Sequence, residues 1–124
     1  MLKYTLYTIT SLDHQAPMIY ATLLINENNQ IFDGHFPGQP VLPGACMLQI
    51  LKEVFEETLN RQYQLRKADQ IKFLTLIDPR VTTTLQLNIS YKPADNNTIY
   101  VTADMIAEGT IFFKFKGYFV NEAA

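Results

Sequence analysis

The chain is 124 residues long, 48% apolar and 18% charged, with ten basic and twelve acidic residues. A chain of this length builds one core, residues 1–124 as a single domain, and needs neither a disulfide nor a metal to fold. A net charge of −2 without a basic run speaks against nucleic-acid binding, and two histidines with one cysteine are too few soft ligands for a zinc site.

The N-terminal Met1-Leu2-Lys3-Tyr4 alternates like a strand and lacks the apolar core of a signal peptide. Residues 2–12 and 17–27 are rich in Tyr, Thr, Ile and Leu and read as two strands, joined by the turn-like Asp13-His14-Gln15-Ala16-Pro17. Both faces of Ile19 to Ile25 are apolar, which predicts burial on two sides. His14, in the polar turn, is expected to be exposed. After the polar Asn26–Gln30 and Ile31-Phe32 comes a loop dense in Gly and Pro. Met47, Ile50, Leu51, Val54, Phe55 and Leu59 then fall on a helical period, predicting a helix over 44–60 with Pro43 in its first turn and Asn60 as its stop. Ala45 to Leu48 are apolar all round, so the helix enters the interior at its N-terminus. Gln49, Lys52, Glu53, Glu56, Glu57 and Asn60 make one polar stripe expected to face solvent, with Gln49, nearest the apolar end, partly buried. Cys46 has no partner for a bridge and no activating base beside it, so it reads as core, in keeping with a reducing compartment.

The remainder alternates as strands: a short one at Ile71 and Phe73, a long one from Val81 to Tyr91, one from Ile99 to Met105, and one from Ile111 to Phe115. Pro93-Ala94-Asp95-Asn96-Asn97 is a turn signal. Tyr118 and Val120 have the opposite parity to Phe113 and Phe115, which predicts a bulge at Gly117. Five or six strands and one early helix make an α+β arrangement, an antiparallel sheet packing one face on the helix. An uncovered face and edge point to dimerisation. The longest charge-free stretch, Phe36 to Leu51, is interrupted by Pro37, Pro40 and Pro43 and is too short to span a bilayer. A soluble, cytoplasmic protein that binds neither membrane nor nucleic acid is the expectation.

One segment carries the functional argument: Gly34-His35-Phe36-Pro37-Gly38-Gln39-Pro40-Val41-Leu42-Pro43-Gly44. Its three prolines and three glycines build a stiff loop that runs into the buried end of the helix. There the first backbone N–H groups lack partners and the macrodipole is positive. A carbonyl oxygen at Gly44 would be polarised, and the missing side chain lets it approach closely. His35, on the stiff loop beside it, can act as a general base near neutral pH.

His-Phe-Pro-Gly-x-Pro-x-x-Pro-Gly followed by an apolar helix resembles the hotdog-fold 3-hydroxyacyl-acyl-carrier-protein dehydratases. Ala68-Asp69-Gln70-Ile71-Lys72-Phe73, with Asp78-Pro79 beyond, is a second, shorter likeness; the two together span roughly residues 31–80. The resemblance implies a sheet wrapped around one central helix and a dimer made by edge-to-edge sheet pairing. It gives His35 the α-proton of an acyl thioester and Gly44 the thioester carbonyl, with Phe36 and Pro43 beside the substrate. It implies that the acyl chain arrives on the phosphopantetheine arm of an acyl carrier protein, with no separate cofactor and no metal.

In the family a carboxylate on the partner subunit's helix, fourteen residues after the motif histidine, protonates the leaving hydroxyl; here that position is Gln49. A carboxamide positions a water or hydroxyl but has no proton to give, and general-acid help is typically worth about 10²–10⁴-fold. Glu53, one turn on and about 6 Å along the axis, is the candidate replacement on this chain; the other is a group from a partner. Three outcomes stay open: elimination of water from a 3-hydroxyacyl thioester, thioester hydrolysis with Gln49 orienting a water, or a non-catalytic acyl-thioester binding subunit. The partner would be a second copy or a paralogous hotdog chain. Met18, Met47 and Met105 read as core or acyl-tunnel lining. Lys52, Arg61, Arg66 and Lys67, around the helix exit, are either an ordinary solvated face or a docking patch for an acidic carrier protein.

Overall fold

Period-two alternation builds the sheet. In the computed structural model, which describes residues 1–33 and 38–121, β1 (Tyr7–Gln15) and β2 (Met18–Ile25) form a hairpin. A short 3-10 turn follows at Gln30–Phe32, then the helix α1 (Gly44–Leu59). Four strands complete the chain: β3 (Tyr63–Phe73), β4 (Thr84–Pro93), β5 (Thr98–Ala107) and β6 (Thr110–Asn121). All pairings are antiparallel, and the order across the sheet is β1-β2-β4-β5-β6-β3. This is the expected α+β arrangement of one sheet and one helix.

Register carries the apolar rows straight across the sheet. Ile19 faces Ile89, Ile89 faces Ala103, and Ala103 faces Phe115; the next row runs Ala21, Leu87, Met105, Phe113. All eight side chains are buried, and the helix lies on them. Its Phe55 ring sits 4.8 Å from that of Tyr63 on β3, 5.8 Å from Tyr91 on β4 and 5.5 Å from Phe119 on β6, so three strands curve around one aromatic. Burying such a ring is worth roughly 1.5–3 kcal/mol. Pro43 is the N-cap of α1 rather than its first helical residue, extended at φ −61°, ψ 145°. Asn60 stops the helix in the left-handed conformation, φ 54°, its N–H donating to the Glu56 and Glu57 carbonyls.

Several expectations need correction. The first strand begins at Tyr7, because the amides of Leu2 and Lys3 bond to the helix instead of a neighbouring strand. β2 is buried on one face only: Tyr20 and Leu24 are 37% and 45% exposed on the outer side. Val81 precedes the strand and is 82% exposed. β3 is an eleven-residue edge strand, far longer than the Ile71–Phe73 pair suggested, and it is mostly polar because no second layer covers it. No bulge interrupts β6 at Gly117. Phe113, Phe115, Gly117 and Phe119 keep one inward parity; β3 is irregular between Leu65 and Lys67 and between Ala68 and Gln70, and β6 carries its extra residue earlier, at Phe112, between the pairs Ile106–Ile111 and Met105–Phe113. A Cβ at Gly117 would lie 2.6 Å from the Lys67 carbonyl oxygen and 2.7 Å from the Phe115 ring, so the apolar alternation skips a beat there without the strand doing so.

Candidate active site

At its first turn α1 has no side-chain cap, since Pro43 supplies none. The Pro43 carbonyl takes the amides of Cys46 (3.0 Å) and Met47 (3.3 Å), which leaves the N–H groups of Gly44 and Ala45 without an acceptor among the described residues. Such unpaired amides at a helix N-terminus favour a partial negative charge. Gly44 is required here by space: a Cβ on it would stand 2.7 Å from the tip of the Phe73 ring. That ring, stacked on Phe113 at 5.5 Å between centroids, closes one wall of a groove of about 410 Å³ lined by Leu42, Pro43, Gly44, Met47, Phe73 and Leu76. Phe73 is 51% exposed and Leu76 66%, so the helix mouth opens onto apolar surface at the end of the edge strand. A polarising donor beside a greasy wall suits a carbonyl bearing an acyl chain.

His35 and Phe36 lie outside the described residues, so their positions relative to Gly44 are not part of this geometry. Pro43 and Gly44 sit at the mouth as expected, and Met47 joins its lining; Met105 lies in the core, away from the groove. Cys46 is buried, and burial pushes its thiol up, as expected of a core cysteine. His14 lies on β1, exposed, with Nε2 2.6 Å from the Tyr91 hydroxyl. Among the described residues no three His, Cys, Asp or Glu side chains converge as a metal site would require.

Gln49 is half-buried, as the apolar start of the helix implied, but Glu53 does not belong to a solvated stripe. It is 5% exposed, and its carboxylate accepts four hydrogen bonds: Leu2 N (2.8 Å) and Gln49 Nε2 (2.8 Å) on Oε2, Lys3 N and Tyr7 OH (both 3.0 Å) on Oε1. Burial alone would raise its pKa; the donors from Gln49, Leu2, Tyr7 and Lys3 outweigh it and hold the carboxyl below its ordinary range. Burial and the adjacent carboxylate push the Tyr7 phenol far up, so it stays protonated and donates. Glu53 is thus an ionised acceptor at neutral pH, and the proposed role of proton donor does not suit it. Sequence reasoning missed this cluster because its donors come from residues 2, 3 and 7, about fifty positions upstream. Lys3 also pairs with Glu57, tying the N-terminal segment to the same helix.

The basic residues near the helix exit are partly engaged: Lys52 with Glu56 and Lys67 with Asp69, each at 3.5 Å, while Arg61 and Arg66 are exposed. Among the described residues no helix is long and apolar enough to cross a membrane.

Comparison with known proteins fits this geometry. The family model of ApeI-like proteins, described as ApeI dehydratase, matches residues 11–114. The 3-hydroxyacyl-[acyl-carrier-protein] dehydratase FabZ of Wolbachia pipientis is 36% identical over 50% of this chain, and the alignment spans only 48% of that relative. The FabZ of Caldicellulosiruptor saccharolyticus is 23% identical over 90% of this chain and 100% of its own length. Among solved structures, the dehydratase heterocomplex ApeI:P from Xenorhabdus doucetiae superposes with a TM-score of 0.73 at 19% identity, covering 91% of this chain and 96% of the other, which establishes a shared fold.

Proposed function

The chain belongs to the ApeI-like dehydratase family and has the hotdog fold, and from that premise we propose that it eliminates water from a (3R)-3-hydroxyacyl thioester to give the trans-2-enoyl thioester. The observation that carries this reading is the helix mouth, where Gly44, whose amide has no acceptor among the described residues, lines an open apolar groove. The thioester carbonyl would accept from Gly44 N–H, and His35 would take the proton from C2. As the C2–H electrons form the double bond to C3, the C3–O bond breaks and the hydroxyl leaves with a proton as water. Gln49 would hold the departing hydroxyl.

The proton for that hydroxyl needs a donor, and Glu53, ionised and with its oxygens occupied, does not fit the task. A donor from a partner chain does. The exposed Phe73, Leu74 and Leu76 beside the edge strand are apolar surface for such a chain to cover. The Xenorhabdus relative is a heterocomplex, which supports a paralogous hotdog partner over a second copy. The substrate would arrive on the phosphopantetheine arm of an acyl carrier protein, in fatty acid or related acyl-chain synthesis within the cytoplasm, without a separate cofactor. Glutamine in place of a carboxylate at position 49 favours one second reading, an acyl-thioester binding subunit whose partner does the chemistry.

One assay separates these. The chain, alone and with its paralogous partner, is incubated with a 3-hydroxyacyl carrier-protein thioester, and enoyl thioester and free acid are measured. Enoyl product that vanishes on His35→Ala supports elimination by this chain. Enoyl product from the pair that survives His35→Ala makes it a binding subunit. Free acid in place of enoyl product makes it a thioesterase.

A further inference from the structure

The Gln49–Glu53 contact decides which end of the Gln49 carboxamide is engaged within the chain. A carboxylate has only acceptor sites, roughly four lone pairs on two oxygens. Here four donors meet them, and Gln49 Nε2 is one, at 2.8 Å from Oε2. Turning the amide over would bring its carbonyl oxygen against Glu53 Oε2, two acceptors with no hydrogen between them. The ionised neighbour therefore fixes the amide with nitrogen inward, and Gln49 Oε1 is left with no donor among the described residues. Glu53 is itself immobilised by the Leu2 and Lys3 amides and by Tyr7, so the lock has a rigid base.

We propose that Glu53 is a positioning residue that holds Gln49 with its carbonyl oxygen forward, so that this position recognises the hydrogen of a hydroxyl or water. This rests on the elimination reading above, because the hydroxyl in question is the one leaving C3. In that setting Gln49 Oε1 accepts from the 3-hydroxyl and turns its oxygen lone pairs towards an external donor. The helix supplies orientation at a site shared with the partner chain, whose own groups supply the proton. The lock also accounts for a buried Glu53 beside the N-terminal segment where a solvated residue was expected.

Two measurements test it. In the unaltered full-length chain, the side-chain amide protons of Gln49 are followed by NMR as pH is lowered; a carboxylate acceptor holds one of them well downfield. Expected is an upfield return of that proton in step with protonation of Glu53, and a similar return at neutral pH in Glu53→Gln. An amide signal indifferent to both overturns the proposal. In the assembly that turns over substrate, Glu53→Gln should lower kcat about 10–100-fold with KM changed less than threefold, the size expected of a misplaced group. Tyr7→Phe removes a Glu53 donor yet keeps Gln49's partner, so it serves as the stability control. Equal losses of kcat in the two variants would make the role structural and overturn the proposal. An assembly that turns over no thioester while the Glu53-dependent amide signature persists would sink the elimination reading and leave the lock standing.

Discussion

The two polar regions of α1 are opposites. At its mouth, Gly44 and Ala45 keep N–H groups without acceptors among the described residues, beside the half-exposed Phe73 ring. About two and a half turns on, around Glu53, every hydrogen-bonding site of a buried carboxylate is filled by its own chain. The contrast separates the part of the helix that is open to a ligand from the part that has become structure. Titratability alone does not mark a reacting group. Glu53 is the one charged residue buried among those described, and it is the worse proton donor for being so well paired.

The largest expected effect tests the mouth. His35→Ala should cut enoyl formation by about 10²–10⁴-fold while the acyl thioester still binds; turnover within threefold of the parent would remove His35 from the mechanism. Next, Gly44→Pro deletes the proposed carbonyl donor at a helix position that tolerates proline, and the extended Pro43 suits a following proline. In a Phe73→Ala background, which clears space for the added atoms, Gly44→Pro should cost about 10²–10³-fold in kcat/KM. Gly44→Ala in the same background keeps the N–H and should cost far less; parity between the two would mean the amide does nothing.

The lock is probed by stability. Glu53→Leu leaves the Leu2 and Lys3 amides, Tyr7 and Gln49 facing an apolar side chain, and should lower unfolding free energy in urea by about 2–4 kcal/mol. A loss below half a kcal/mol would show that water replaces the carboxylate freely. The pH dependence has a definite sign. Glu53's folded pKa is below its unfolded value of about 4.3. Its contribution is therefore present above about pH 4.3 and is lost as pH falls through the folded pKa. Midpoints measured from pH 6 down to 2.5 should fall less steeply in Glu53→Gln; parallel curves would refute that linkage. Smallest, Phe73→Ala removes a ring already 51% exposed, so stability should fall by no more than about 1–1.5 kcal/mol. The groove it opens should shift acyl-chain preference towards bulkier substrates, measured as kcat/KM across a chain-length series.

Much of the fold was legible because the alternations at Leu85–Ile89, Val101–Met105 and Phe113–Phe115 are local patterns with a single physical meaning, one face towards the core. The helix bounds were equally readable, from proline before and asparagine after. Gly117 misled because a missing side chain and a bulge leave the same trace in an alternating pattern; only the Lys67 carbonyl packed beside it distinguishes them. The length of β3 was hidden for a related reason. An edge strand covered on neither face has no apolar period to show. Of the site, Pro43 and Gly44 were found from the motif and Met47 from the helical period, but Phe73's ring over Gly44 was not, since thirty residues separate them.

The amino-acid sequence by itself determined a one-helix antiparallel sheet, a stiff Gly/Pro loop feeding the helix, and a glutamine at the position where a carboxylate is expected. The first two follow from periodicity and backbone restriction, both local; the third follows from the family resemblance. Only the tertiary structure decided that Glu53 is buried and ionised and which way the Gln49 amide points. Those properties depend on the Leu2 and Lys3 amides and the Tyr7 hydroxyl arriving from a distant segment, and no spacing along the helix can state whether a carboxylate will meet water or four donors.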